Sequence, residues 1–256
     1  EVAQSAQESL TERLRYLTGV AAATLDVARV GVWLYNDART GIHCAHLFDR
    51  ENSVHGAGTE LEVGRYPRHF EALEQARTIA AEDAFTDPLT AELAEDYLVR
   101  TNTRSVLDVP IRWDGRTVGV LCHEHTGERR PWSLDERTFA ASLADLTALA
   151  LETERRRQAE GRLQESLGRL ELFFSQSLDG FFFMMLDEPV HWHDGVDKTQ
   201  ALEYIFDHQR MAKANEAVLQ QYGLSMEEFL GRTPRQLFAH DPEHGKDLWR
   251  QMLDAG

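Results

Sequence analysis

Cys122-His123-Glu124-His125 is the densest run of nucleophilic and metal-ligating side chains in the sequence. On a strand, alternation puts Cys122 and Glu124 on one face and His123 and His125 on the other. The two histidines are therefore placed to share a metal or a haem, against the plainer reading that a strand cysteine and its neighbours are packed core. Asp83, Asp87, Asp96 and Asp108 raise the question of paired carboxylates. No nucleophile, base or phosphate loop accompanies them, and turn or cap roles account for such residues. No catalytic residue and no metal site is assigned, and no cofactor is expected beyond an unknown small molecule.

These residues must be positioned by a folded chain. The 256 residues are 42% hydrophobic and 27% charged, which suits one large or two ordinary globular domains. A net charge of −16 argues against a nucleic-acid partner, since phosphates demand a basic surface. No apolar run approaches the roughly 20 residues that span a bilayer, and no signal peptide opens the chain. Cys44 and Cys122 are the only cysteines, and no CxxC occurs, so neither a disulfide framework nor a zinc ribbon is expected. A reducing cytoplasm fits this usage. Glu1 in place of a starting Met reads as the first residue of a fragment of a longer protein, or of an ordered portion of one.

The organising element is Trp132 to Phe174, read as one long helix. Ser133 caps it, with Asp135 and Glu136 at the positive end of its dipole. From Leu146, steps of three and four give Leu149, Thr153, Arg156, Glu160, Leu163, Leu167, Leu170 and Phe174, a heptad register that is apolar at both ends and polar in the middle. Each apolar position would bury about 1.5–3 kcal/mol of side chain in a parallel dimer. Association costs roughly 4–15 kcal/mol, so such a homodimer needs help from flanking domains. A connecting coiled coil between two domains is the expectation, against a helix packed on its own domain.

Before it, Gln4 to Leu25 reads as a helix with Leu10, Leu14, Leu17, Ala21 and Leu25 on one stripe. Val30 to Tyr35 is a strand buried on both faces, and Ile42 to Phe48 returns as its hairpin partner. Tyr66 to Arg77 is helical, Thr78 to Ala80 is a short strand, and Asp87-Pro88 opens a helix to about Thr101. Ser105–Arg112 and Arg116–His125 form a second hairpin about Asp114-Gly115. The order implies an α+β fold, an antiparallel sheet with the terminal helices on one face.

Asp83…Asp87-Pro88, Ser105-Val106-Leu107-Asp108-Val109-Pro110-Ile111, Gly115-x-x-Val118-Gly119-Val120-Leu121, Glu124-His125 and Trp132-x-x-Asp135-Glu136 together resemble a bacterial GAF domain. The resemblance covers about Gln7 to Thr153, and with it residues 1–131 are expected to be a GAF domain with its N-terminal helix and 132–174 its signalling helix. It implies a regulatory, ligand-binding module. It also implies a cavity between the sheet and the segment Phe48 to Thr103, with Tyr35, Phe48, Phe85, Tyr97, Asp108 and His123 as candidate lining. Bilin-binding GAF domains attach pigment through a Cys-His pair in a helical segment, whereas Cys122-His123 lies in a strand. Of the cyclic-nucleotide pattern, only Trp132…Asp135-Glu136 is present, and helix capping already explains it.

After Phe174, Ser175–Gly180 breaks the helix and Phe181 to Leu186 reads as a short buried strand. Asp187 to Lys198 is a polar loop, and Ala201 to His208 is a short helix or strand. Asn215 to Tyr222 is a helix stopped by Gly223, and Ser225-Met226-Glu227-Glu228 is the next capped start. Ser177-x-Asp179-Gly180-Phe181, Asn215-x-Ala217…Gly223-x-Ser225-x-Glu227-Glu228-x-x-Gly231 and His240-Asp241-Pro242 resemble the first part of a PAS domain. Residues 175–256 are thus expected to be an incomplete PAS-like α+β segment, truncated or completed from outside. PAS resemblance also invites a haem reading of His208, His240 and His244, against a solvated loop around Asp241-Pro242-Glu243.

The function expected is that of a cytoplasmic sensory fragment of a bacterial signal-transduction protein, without catalytic activity of its own. It would bind a small-molecule ligand or partner, pair as a homodimer through Leu146, Leu149, Leu163, Leu167, Leu170 and Phe174, and act on a C-terminal output module. By resemblance that module is a diguanylate cyclase or phosphodiesterase of cyclic-di-GMP signalling, with a two-component histidine kinase next. The alternatives are a dimerisation scaffold with no ligand, or a redox, haem or metal sensor.

Overall fold

The computed structural model describes residues 9–255. Residues Gln4 to Glu8 of the expected first helix lie outside the described residues. Helix α1 (Leu10–Leu25) starts at Ser9, whose hydroxyl accepts the Glu12 N–H while the Glu12 carboxylate accepts the Ser9 N–H. That reciprocal box satisfies two amides that the first turn leaves without helical partners. The chain forms two compact units, the first ending at Ala159 and the second beginning at Glu160.

The first unit is built on a seven-stranded antiparallel sheet. Strands β1 (Arg29–Tyr35), β2 (Gly41–Asp49), β3 (Val54–Gly56) and β4 (Glu60–Glu62) precede helix α2 (Pro67–Gln75) and strand β5 (Ile79–Ala81). A broken helical stretch ends in the single turn α3 (Val99–Thr101), followed by the hairpin of β6 (Thr103–Trp113) and β7 (Arg116–Thr126). The order is β3-β2-β1-β7-β6-β5, with β4 also paired to β2. Asp114 and Gly115 both take left-handed backbone angles, as a tight hairpin turn with the right twist requires. The short strands β3 and β4 carry too few apolar residues to show in the periodicity.

Because helices cover both faces, β1 is apolar at almost every position. On one face Val30, Val32, Leu107, Val109, Ile111 and Leu121 pack on Leu14, Ala21 and Leu25 of α1. Ala140, Leu143 and Ala144, from the start of helix α4 (Leu134–Gln176), join the same core. Trp33, Cys44, Val120 and Cys122 on the other face meet Tyr66, Phe70, Leu73, Tyr97 and Leu98. Ser133 and Glu136 form a second capping box at the start of α4, so the helix begins and ends two residues after the expected limits of Trp132 and Phe174. Trp132 itself is buried, its indole N–H donating to the Ala81 carbonyl at 3.2 Å.

Two sequence expectations fail in this unit. The helix expected from Asp87-Pro88 to Thr101 is a 3-10 turn (Ala91–Leu93), a π-helical turn (Ala94–Leu98) and then α3. The Asp87 carboxylate accepts the Leu89 N–H in a local turn that competes with helix, and Tyr97 is drawn onto the sheet. The second failure is a bulge in β2. Val32 pairs His46 and Trp33 pairs Cys44, leaving Ala45 extra. One inserted residue sends everything beyond it to the opposite face.

The second unit has a two-stranded antiparallel sheet of β8 (Phe182–Met185) and β9 (Arg210–Ala214). Helix α5 (Lys198–His208) lies between them in sequence, and α6 (Glu216–Tyr222), α7 (Met226–Phe229), α8 (Pro234–Leu237) and α9 (Pro242–Ala255) follow. Asn215 caps α6 and Gly223 ends it with a positive φ of 65°, while Ser225 and Glu228 form the box that starts α7. Met211, Ala214, Val218, Leu219 and Phe229 form one small core, and Leu202, Ile205, Phe206 and Trp249 another. Contrary to expectation β8 is buried on one face only. Phe183 and Met185 stay exposed because the helices that pack on Phe182 and Met184 cover one side of the ribbon.

Gly119 is where β7 comes closest to β1, and a Cβ there would stand 2.2 Å from the Trp33 carbonyl oxygen. Gly119→Ala is expected to lower the unfolding free energy by about 3 kcal/mol, at the upper end of overpacking costs, when measured by urea titration.

Candidate functional site

The candidate site lies on the α2 face of the sheet. Trp33, Ile42, Leu61, His69, Phe70, Leu93, Tyr97, Asp108, Val120 and Cys122 line a partly open cavity of about 30 Å³. Next to it is an outer basin of about 540 Å³, which shares Ile42 and Leu61 as walls and is lined by His43, Glu60, Glu62, Arg65, Tyr66, Glu95, Asp96 and Arg100. The inner space holds one or two water-sized groups. The outer one is in the size range of small-molecule sites.

Asp108 is the chemical centre of the inner cavity. It is only 2% exposed, paired in register with Cys122, and its Oδ1 has no hydrogen-bond partner among the described residues. Its Oδ2 stands 3.6 Å from His69 Nε2. His69 Nδ1 lies 2.9 Å from the Leu89 carbonyl, so it carries the proton and leaves Nε2 as an acceptor. Burial pushes the Asp108 carboxyl up to about 7, with the Glu124 charge adding and a hydrogen bond from Cys122 opposing. Burial also holds His69 below the ordinary imidazole range. Both directions oppose ionisation, and 3.6 Å is too long for a hydrogen bond, so the two groups face each other without forming an ion pair.

A polar girder closes one end of the cavity. Glu124, 1% exposed, accepts Tyr97 Oη at 2.5 Å on Oε1, and Arg29 Nε at 2.8 Å and Thr103 Oγ1 at 3.1 Å on Oε2. Arg29 also donates to the Thr101 carbonyl and to Thr103 Oγ1. Burial and then the Glu124 charge push the Tyr97 phenol well above its usual value, so the hydroxyl stays a donor to Glu124. The girder binds β1, β6 and β7 to the π-helical turn that carries Tyr97.

Of the six lining residues suggested by resemblance, Tyr97 and Asp108 line the cavity. Tyr35 and Phe85 are on the same side but outside it, Tyr35 edge-on to Phe70 beneath Arg39 and Phe85 under Arg104. Phe48 and His123 are on the other face. The Ala45 bulge turns Phe48 to pair with Val30, where it stacks on His55. His123 follows Cys122 by one residue, pairs with Val30 and Leu107, and is fully buried with Nδ1 2.8 Å from the Leu107 carbonyl. His69 was missed, although Tyr66, His69, Phe70 and Leu73 share one helical stripe. Glu124 was named in the Cys122–His125 run, but not as the buried acceptor that holds Tyr97 and Arg29.

The cysteines give little support to thiol chemistry. Burial pushes the Cys44 thiol up to about 12 and Cys122 well above its usual value, far from the thiolate form that reacts. Among the described residues no cluster of His, Cys, Asp and Glu is arranged to hold a metal. Leu146, Leu149, Leu163, Leu167 and Leu170 are 50–62% exposed along α4. Phe174, the sixth residue of that stripe, is buried within its own unit beside Phe183 and Lys213.

An antiparallel sheet covered by helices on both faces, with a cavity under one of them, defines an α+β class. The GAF domain model matches residues 9–151, more than half of the sequence, and the chain belongs to the GAF domain family. GAF domains are sensory domains of signalling proteins and photoreceptors. The blue-light absorbing form of the Thermosynechococcus elongatus PixJ GAF domain is similar at 23% identity and TM-score 0.50, over 67% of this chain and 98% of that one. The GAF domain of an Acinetobacter phosphoenolpyruvate-protein phosphotransferase is similar at 14% identity and TM-score 0.48, over 60% of this chain and 89% of that one. These similarities concern the fold. No curated protein matches the chain. No helix among the described residues is long and apolar enough to cross a membrane.

Burial holds His123 down to about 4, below its ordinary 6.5. A lowered histidine contributes stability that is present above its unfolded value and is lost as pH falls through the folded one. Urea titrations at pH 7 and about pH 4.5 are expected to show His123→Leu losing about 2–3 kcal/mol less than the parent chain on acidification.

Proposed function

We propose that this chain is the sensory segment of a signal-transduction protein. A small molecule or partner bound in the GAF domain biases the domain between two states, and α4 passes the bias on. The observation that carries this reading is the pairing of a mainly apolar, partly empty cavity, with Asp108 in its wall, on one sheet face with the start of α4 on the other. A ligand acts on such an arrangement only by binding the two states differently. The chain's role is regulatory rather than catalytic, in a cytoplasmic setting.

The exposed leucines of α4 support parallel homodimerisation, with Leu163, Leu167 and Leu170 in the seam. In the second unit, the Asn215 cap, the Gly223 stop, the Ser225 box and the β8–β9 ribbon support the reading of an N-terminal part of a PAS domain. The output module would be a diguanylate cyclase or phosphodiesterase, or a histidine kinase. A second reading, a scaffold that dimerises without a ligand, is favoured by the smallness of the inner cavity, which Trp33, Phe70 and Tyr97 largely fill.

Analytical ultracentrifugation tests the seam. The parent chain is expected to sediment as a dimer and Leu163→Glu/Leu167→Glu as a monomer with unchanged far-ultraviolet circular dichroism. A monomeric parent chain would refute the pairing. Native mass spectrometry of the same sample separates the readings, because a bound small molecule adds mass that a bare scaffold lacks.

A further inference from the structure

We infer that the inner cavity is an anchoring subsite for the cationic nitrogen of a small amine, whose remaining atoms lie in the outer basin; this rests on the ligand-sensing reading above. Asp108 Oδ1 is a carboxylate oxygen, in a residue 98% removed from solvent, that has no partner among the described residues and lies in the wall of this cavity. Such an atom costs free energy unless a donor reaches it. The donors around it are already engaged. Tyr97 donates to Glu124 Oε1, the Cys122 thiol points to the same oxygen at 3.9 Å, and His69 Nδ1 donates to Leu89. What faces the cavity is Asp108 and the acceptor nitrogen of His69. A ligand end made only of donors satisfies both.

Size narrows the class further. About 30 Å³ takes an ammonium or a primary amine head and excludes an aromatic ring, a nucleotide base or a tetrapyrrole from this inner space. The rim has the complementary sign. Glu60, Glu62, Glu95 and Asp96 line the basin against Arg65 and Arg100, and Arg65 is already held by Asp96 at 2.5 Å. Leu61, the wall common to both spaces, sits on the three-residue strand β4 between Gly58 and Gly64, so its displacement joins them without disturbing the central strands.

Protons are linked to this binding. His69 from α2 and Cys122 and Glu124 from β7 face Asp108, Arg29 lies beyond Glu124, and β5 presents the apolar Ile79. A bound cation favours the ionised carboxylate, so the amine displaces the Asp108 proton wherever the free protein holds it. Since the free carboxyl titrates near 7, affinity rises with pH between about 6 and 8, by about tenfold.

The test is isothermal titration of the 256-residue chain with propylamine, putrescine and agmatine, beside propanol and propionate, at pH 6 and pH 8. The amines are expected to bind about tenfold tighter at pH 8, and Asp108→Asn to abolish their binding. Glu95→Gln is expected to weaken it several-fold. Because Asp108→Asn could misfold, carbon-13 titration of the parent Asp108 carboxyl gives an independent readout, in which a bound amine must move its midpoint down. Propanol or propionate binding as tightly as the amines, or amine binding that survives Asp108→Asn, overturns the inference and leaves ligand sensing intact. No binding by any of the probes overturns the amine inference. If native mass spectrometry of the purified chain also shows no added mass, ligand sensing falls with it.

Discussion

The buried Arg29–Glu124 pair is the constraint on which the first unit depends. Taking both charges out of water is costly, and their attraction repays it only when every remaining donor and acceptor is used. Here both Glu124 oxygens are used. Glu124 accepts from Arg29, Tyr97 and Thr103, and Arg29 donates from Nη2 to the Thr101 carbonyl and Thr103 Oγ1. The consequence is geometric. An apolar pair in these positions would hold β1 to β7 equally well, but it would not fix where the π-helical turn sits. Tyr97 can reach Glu124 only if residues 94–98 are wound as they are, and that winding places Leu93 and Tyr97 over the inner cavity. A polar network thus specifies the shape of an otherwise apolar pocket.

Strand β7 then joins the two halves of the unit. Cys122 and Glu124 face the cavity, while Leu121 and His123 face α1 and α4. Any movement of β7 that adapts the cavity therefore changes the packing under the first turns of α4. Gly119 keeps β7 pressed against the β1 backbone, so the two strands move as one body rather than sliding past each other. His123 makes the helix side intolerant of charge, and Asp108 and His69 make the cavity side equally so. A ligand charge on the cavity side is felt at the sheet because little else there screens it.

Much of this architecture is visible in the sequence, and the misses share a cause. Long periodic elements were legible, because Val30 to Tyr35 and Ser105 to His125 carry patterns that only a doubly covered sheet explains. The spaced glycines, prolines and aspartates carried the family resemblance. The site was legible only in part. Of the residues suggested by resemblance, Asp108 and Tyr97 line the cavity, whereas the bulge at Ala45, which has no residue signature, turns Phe48 to the other face. His123 failed for the opposite reason, since alternation from Cys122 already put it away from the cavity and resemblance overrode the count. The break at residues 91–101 arises from a long-range bond between Tyr97 and Glu124, which no local propensity encodes.

Helix α4 shows how little binding energy such a unit has to deploy, and why that suits it. Five leucines left 50–62% exposed represent, at about 1.5–3 kcal/mol for full burial of each, a driving force comparable to the roughly 4–15 kcal/mol cost of association. A seam that is apolar throughout would lock one register. The proposed seam is interrupted at Thr153, Arg156 and Glu160, where polar side chains occupy the heptad positions. The two apolar ends are thus separated by a stretch that favours no register strongly. In the proposed dimer, a bias of one or two kcal/mol, the scale of allosteric coupling, would be a sizeable fraction of what holds the helix in any one arrangement. An evenly apolar seam would absorb a bias of that size without shifting.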